Sequence, residues 1–294
     1  MPGNSPRTLS FRHHPRELAE NRYVYAVLSR RSGGISIGIN LNPDKICNFD
    51  CVYCQVDRTT PARFRRVDLK ILGRELNEIL DRTRSGRLFE EAPFAGLRKP
   101  LQRVQDIAFS GDGEPTTCRQ FKEAVELAIK AKQKAGLADL KILVITNATM
   151  FHRARVAEAF SLLDRHNGEI WAKLDAGTEL YYKQVDVTTI PFKRILDNIL
   201  DAARLRPIVI QSLFMRLHGK PPAASEVQAY CDRLRGITAK GGKIKLVQVY
   251  TVARSPAQPY VSALSKKEVD AITEKVRKIP LPVVAYYGGP AAVG

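Results

Sequence analysis

Cys47-Asn48-Phe49-Asp50-Cys51-Val52-Tyr53-Cys54 sets three cysteines within eight residues. Thiolates are the usual ligands of 4Fe-4S clusters, and a complete set is four. The local set stops at three, which suits a cubane cluster with one iron left open. An open position on a protein-bound metal marks a site that binds something exchangeable. The competing readings are zinc and plain packing. Structural zinc usually draws on two separated ligand pairs, whereas the remaining cysteines, Cys118 and Cys231, stand alone and far apart. Thiols used only for packing would not gather in a polar Asn-Phe-Asp loop. The spacing favours iron and sulfur.

The chain of 294 residues is 44% hydrophobic, enough for a proper core, and its length lies near the upper size for one compact domain. No run of about 18 apolar residues suggests a membrane span. The first residues, Met1 to Arg7, lack the apolar run of a secretory signal, and three of five cysteines in a metal pattern argue against a disulfide scaffold. A cytoplasmic location is expected. Net charge is +17, and much of it lies in two stretches. Residues 1–31 carry six Arg against two Glu, and residues 58–103 carry 12 basic against six acidic side chains, among them Arg63-Phe64-Arg65-Arg66. Such an excess attracts polyanions, although charge runs are also ordinary solvated surface.

Outward from the cysteines, apolar runs of strand length alternate with stretches of helical period, which predicts parallel βα units. Strands are expected at 35–41, 104–110, 141–146, 169–174, 208–214 and 243–252, and helices at 68–83, 119–135, 154–163, 191–205, 225–238 and 265–278. Ser225 to Gln228 and Ser265 to Glu268 read as capping boxes, Gly136 as a helix stop and Pro191 as a helix start. Residues 85–103 read as an insertion, and Val283 to Tyr287 as one further strand. Alternation alone allows a partial barrel or a doubly wound sheet. The expected organisation is a basic extension over 1–34, a core over 35–255, and a helix with an extra strand over 256–294.

In parallel barrels ligands meet the loops at the strands' carboxyl ends. The second strand ends in Ser110-Gly111-Asp112-Gly113-Glu114-Pro115. Two glycines let the backbone approach a ligand closely, and Glu114 places an anion where an ammonium group could sit; a turn closed by a helix-capping acid would look the same. Asn147, Asp175 and Ser212 close later strands, where short polar side chains can bond ribose hydroxyls or a carboxylate, or merely cap helices. Lys173 could lose its proton and form a Schiff base, or hold an anion. Beyond the fifth strand, His218 is the one histidine whose position suggests a catalytic role. Cys118 at a helix start and Cys231 within a helix read as packed residues.

The triplet, with aromatic Tyr53 directly before its last cysteine, resembles the CxxxCxΦC pattern of the radical S-adenosylmethionine (radical SAM) superfamily. Ser29-Arg30-Arg31, Ser36-Ile37-Gly38-Ile39-Asn40-Leu41, Cys47 to Gln55 and Ser110 to Thr116 together resemble the tRNA wyosine-synthesis branch and its bacterial relatives of unassigned substrate. The resemblance implies an α/β fold, a partial (βα)6 barrel with terminal extensions. It implies a 4Fe-4S cluster on Cys47, Cys51 and Cys54, with SAM chelated at the open iron. The turn at Gly111, Gly113 and Glu114 would match the superfamily's Gly-Gly-Glu motif, which binds the methionine amino group, and Tyr53, Asn147, Asp175 and Ser212 would be further SAM contacts. It also implies a reducing partner such as flavodoxin or ferredoxin, radical hydrogen abstraction, and tRNA as a substrate. No cysteine precedes Cys47, where wyosine enzymes carry either further cysteines for a second cluster or a flavodoxin-like domain. A reading from another class is a non-catalytic iron-sulfur or zinc protein that binds RNA; the acidic glycine turn separates the two, since such a module has no need of it.

Overall fold

The computed structural model describes residues 21–288 except 255 and 257. Residues 1–20, which carry part of the basic amino-terminal stretch, lie outside the described residues. The chain runs β1 (Val24–Ser29), β2 (Gly34–Ile39), α1 (Leu69–Arg84), β3 (Val104–Phe109), α2 (Phe121–Lys134), β4 (Lys141–Thr146), α3 (Ala154–Asp164) and β5 (Gly168–Lys173). It continues through α4 (Glu179–Val185), α5 (Phe192–Leu205), β6 (Ile208–Leu217), α6 (Ala224–Ala239), β7 (Ile244–Thr251), β8 (Val261–Ala263), α7 (Lys266–Arg277) and β9 (Val283–Tyr286). The strands β2 to β7 lie side by side in chain order, all parallel, with β9 parallel beyond β7 and β1 antiparallel on the other edge. The result is a curled half-barrel of eight strands, with β8 pairing β6 off its path. The six expected strands and six expected helices are all present, as is the extra strand at 283–286.

Strand alternation sorts side chains to two faces. On β2, Ile35, Ile37 and Ile39 are wholly buried against the helix layer with Leu72, Leu76 and Val125, each worth about 1.5–3 kcal/mol. The alternate residues Ser36, Gly38 and Asn40 face the lumen, where Ala108, Leu143, Trp171 and Val209 form a separate small cluster. Two elements were not foreseen. β1 falls within the expected amino-terminal extension and pairs with β2 along its whole length, so the sheet begins before residue 35. The short α4 interrupts the passage from β5 to α5.

The predicted capping box at Ser265 and Glu268 is present with both reciprocal bonds. That at Ser225 and Gln228 is not. The chain is extended at Ala223, which takes the N-cap position, so α6 starts two residues too early for Ser225 to cap it, and Gln228 bonds Asp232 instead. Gly136 does stop α2, at φ 70°, and Pro191 directly precedes α5.

Glu75 on α1 is buried, and its carboxylate accepts the backbone N–H groups of Arg22, Tyr23 and Val24 at 2.8, 3.0 and 3.1 Å. It pins the start of β1 to the helix layer. Glu75→Ala would strand three donors and is expected to cost about 3 kcal/mol, a fall of several degrees in melting temperature; calorimetry of the variant checks this, and an unchanged midpoint would contradict it.

Candidate active site

The cysteine loop leaves β2 at the carboxyl-terminal rim of the half-barrel and is pinned on both sides. Asp50 N–H donates to the carbonyls of Asp186 and Val187, Val52 N–H to that of Val185, and Cys54 N–H back to Cys51. The Asn48 side chain bonds Thr149 Oγ1 at 2.7 Å and accepts from Asn147 Nδ2 at 2.8 Å. Phe49 packs edge-on against Tyr182, with centroids 5.9 Å apart. α4 thus buttresses the loop, a role its seven-residue length hid in the sequence. Cys47, Cys51 and Cys54 are half-buried and line one cavity of about 330 Å³. Burial raises the thiol pKa of Cys47 and, together with Asp186, that of Cys51 to well above its ordinary value. Arg58 Nη1 approaches Cys54 Sγ at 3.1 Å.

Gly111 and Gly113 are required by close approach to the neighbouring chain. A Cβ on Gly111 would lie 2.4 Å from Asn40 Oδ1, and one on Gly113 2.3 Å from the Ile46 carbonyl. The turn is thereby pressed against the segment leading into the cysteines, and both glycines line the cavity. Glu114 is buried at 3% exposure and ties β3 to β4. Its Oε1 accepts from Thr116 N–H, the Thr116 hydroxyl and Thr146 Oγ1, while Oε2 accepts only from Asn147 N–H at 2.6 Å. Each carboxylate oxygen offers about two lone-pair sites, so Oε2, with one bond, retains one. Burial raises the pKa of this carboxyl against the pull of its hydrogen bonds. The helix-capping and ligand-binding readings of Glu114 are therefore compatible.

Lys173 Nζ lies 2.9 Å from Asp175 Oδ2 and 2.8 Å from Tyr250 Oη, and 4.8 Å from the centroid of the Tyr53 ring. Tyr53 Oη also donates to Asp175, whose other oxygen accepts Leu213 N–H. Burial opposes the charge on Lys173, but Asp175, Tyr250 and Cys51 outweigh it and raise the amine's pKa. Between Schiff base and anion holder, this setting suits the anion holder. Asp175 is buried behind Tyr53 and supports the site from outside the cavity lining. Asp186, also buried, stands 3.5 Å from Cys51 Sγ; it ends α4, and nothing in its local sequence singled it out.

Two candidates fall elsewhere. Ser212 points into the helix layer and bonds Tyr230 of α6 at 2.6 Å, because Gln211 and Leu213 on either side take the lumen face. His218, at φ 50° beyond β6, stacks on Tyr260 with centroids 4.6 Å apart and does not reach the cavity. Asn147 reaches it and orders the cysteine loop. Cys118 and Cys231 lie outside it, packed against or within the core.

The three thiols line the cavity, and among the described residues no group of three or more His, Cys, Asp or Glu side chains is placed to hold a metal ion. Three thiolates with no fourth protein ligand suit a cubane with one open iron better than a structural zinc ion, which takes four. The adjoining acid with a spare lone pair and the cation at Lys173 fit a ligand bearing an ammonium and a carboxylate.

A curled α/β half-barrel with a thiol-lined cavity at the carboxyl ends of its strands defines a cofactor-dependent barrel enzyme. The Radical SAM superfamily profile matches residues 41–217, and the chain belongs to that superfamily. Its members are enzymes that use a 4Fe-4S cluster and SAM, which displaces the reading as a non-catalytic RNA-binding metal protein. The chain is 29% identical over 176 residues to a UPF0026 protein of Methanocaldococcus jannaschii, covering 60% of this chain and 46% of that protein. It spans between 24% and 61% of the lengths of the curated relatives it matches. In fold it is similar to a radical SAM methyltransferase from Sphaerobacter thermophilus, with a TM-score of 0.61 and 12% identity over 90% of this chain and 69% of that one. It is also similar to TYW1 solved with a lysine-pyruvate adduct bound, with a TM-score of 0.54 and 12% identity over 87% and 84% of the two chains. Among the described residues no helix is long and apolar enough to cross a membrane.

Proposed function

We propose that the protein cleaves SAM at the rim of its half-barrel and uses the resulting radical to abstract hydrogen from a substrate in the lumen, a tRNA base being the first candidate. The observation that carries this reading is that the three thiols, the Gly111–Glu114 turn and Lys173 open into one cavity inside the barrel. Bound there, the cluster and SAM supply reductive scission of a sulfonium carbon–sulfur bond and hence a 5'-deoxyadenosyl radical. In this reading Cys47, Cys51 and Cys54 hold the cluster, and the free lone pair of Glu114 Oε2 takes the methionine ammonium. Lys173, kept protonated by Asp175 and Tyr250, orients a carboxylate. The TYW1 of like fold was solved with a lysine-pyruvate adduct; a lysine so firmly charged suits ion pairing better than attack on a carbonyl. With dithionite and SAM the cluster-loaded protein is expected to release 5'-deoxyadenosine, and its absence would contradict the reading.

The electron enters from outside. A second groove is lined by Cys47 together with Lys45, Arg58 and Lys183 and with Asp44 and Asp50; Arg58 and Lys183 already face Asp50 and Glu179, so the case for a reductant such as flavodoxin or ferredoxin rests on the cluster's need of an electron and on the approach to Cys47.

The RNA part rests on charge. Arg63, Arg65 and Arg66 are exposed, and Phe64 lies beneath the guanidinium groups of Arg22 and Arg63 at 4.7 and 5.6 Å. This segment directly follows Pro61 and Ala62, which line a groove with Cys47. In a shift assay at near-physiological salt, total tRNA is expected to bind more tightly than an unrelated RNA. Neutralising Arg63, Arg65 and Arg66 together should reduce the salt slope by about two to three. No binding there, or equal binding to both RNAs, would exclude tRNA and point to a peptide or small molecule.

A further inference from the structure

The turn between β1 and β2 carries Arg30 and Arg31, and both side chains line the same cavity as the thiols. The turn is fixed by Ser32 N–H donating to Ser29 Oγ at 3.1 Å and Gly33 N–H to the Ser29 carbonyl at 2.9 Å. Arg30 reaches across the opening of the half-barrel and donates to the carbonyl of Tyr287, just beyond β9 on the opposite edge. Arg31 enters between β5 and β7, its guanidinium carbon 5.1 Å from the centroid of Tyr250 and 5.9 Å from that of Trp171.

Among the described residues neither guanidinium has a carboxylate within 4.0 Å. Asp106, whose field reaches Arg31, is itself held by the Ser36 hydroxyl. The half-buried Arg31 guanidinium lies over the Tyr250 and Trp171 faces, which attract a cation without supplying a counter-anion. Burial and then the neighbouring Arg31 charge lower the pKa of Arg30. Two like charges side by side in a cavity wall are favourable only when an anion joins them. Arginine is suited to that task, because its planar fork matches carboxylate and phosphate oxygens two at a time.

Lys173 is the cation beside the cysteine loop, above the Tyr53 ring. Arg31 lies over the same Tyr250 ring that Lys173 approaches at 5.4 Å, so the cavity lining, which also includes Arg254, places one cation near the thiols and another at the β1–β2 turn. We propose that Arg31, backed by Arg30, binds an anionic group of the substrate, a carboxylate or a phosphate, and so sets which end of the substrate faces the radical. The proposal rests on the reading of this cavity as the SAM and substrate chamber, and it names the substrate class as anionic.

The test uses the oxidised, cluster-loaded full chain saturated with SAM, titrated calorimetrically with inorganic phosphate and separately with acetate in low-chloride buffer. At least one anion is expected to bind, and which one does separates a phosphate from a carboxylate substrate. Arg31→Gln should weaken that binding about tenfold or more, with Arg31→Lys in between because it keeps charge and loses the fork. Arg277→Gln, at an exposed position outside the cavity lining, should bind the anion as the wild type does, and SAM affinity of Arg31→Gln should stay within about twofold, as its guanidinium is not the cation beside the cysteines. Failure of the wild type to bind either anion, equal binding by Arg31→Gln, or a parallel loss of SAM affinity would each overturn the proposal. Lack of 5'-deoxyadenosine from the wild type would instead overturn the enzymatic reading, whatever the anion titrations give.

Discussion

Cys47→Ala, Cys51→Ala and Cys54→Ala are each expected to leave the anaerobically reconstituted protein without its cluster, where the wild type binds about four irons. The expectation follows from the supply of ligands. Three thiols line the cavity, and the remaining cysteines cannot substitute: Cys231 is 1% exposed inside the core, and Cys118 lies outside the cavity lining. Cys118→Ala and Cys231→Ala should therefore keep full iron content. Iron and sulfide analysis with the visible absorption of the cluster checks all five variants. Stoichiometric zinc without iron in the anaerobically purified wild type would sink the assignment, as would full iron in any of the three triplet variants.

Glu114 is expected to give the second large effect, and the choice of substitution decides what is learned. Glu114→Ala would remove the acceptor of four donors at once, from Thr116, Thr146 and Asn147. Stranding buried donors costs about 1–3 kcal/mol each, so the turn would loosen along with any effect on SAM. Glu114→Gln retains the oxygen that accepts three of these bonds and removes the charge. A charge-assisted bond is worth about 1.5–3 kcal/mol, so SAM affinity of this variant should fall roughly tenfold to a hundredfold. Its iron content should stay unchanged, since no thiolate is touched. SAM binding by cluster-loaded Glu114→Gln at wild-type affinity would show that the ammonium is held elsewhere.

The strands and helices were legible because each is long enough to show its period, as in Ile35, Ile37 and Ile39 with polar residues between them. The same period also decides Ser212. Its neighbours Gln211 and Leu213 face the lumen, so Ser212 must face the helices, and a polar residue near a strand end is no candidate until its parity is known. β1 was hidden because its apolar run follows a basic stretch, and α4 because seven residues give fewer than two full turns of periodicity. The cysteines proposed as cluster ligands stand out by their spacing, since they are local in sequence. Asp186 does not, because it meets Cys51 only through the packing of α4 on the loop. Arg30 and Arg31 show in the sequence only as part of a basic stretch and of the Ser29-Arg30-Arg31 resemblance, and it is the curl of the sheet that brings their turn to Tyr250 and Tyr287.

The most direct measurement of the central claim is 5'-deoxyadenosine released per cluster from SAM under dithionite, by wild type and by Cys51→Ala in parallel. The wild type should release the nucleoside, and Cys51→Ala should give none above the protein-free control. No nucleoside from a wild type that holds about four irons, or equal amounts from both proteins, would contradict the account.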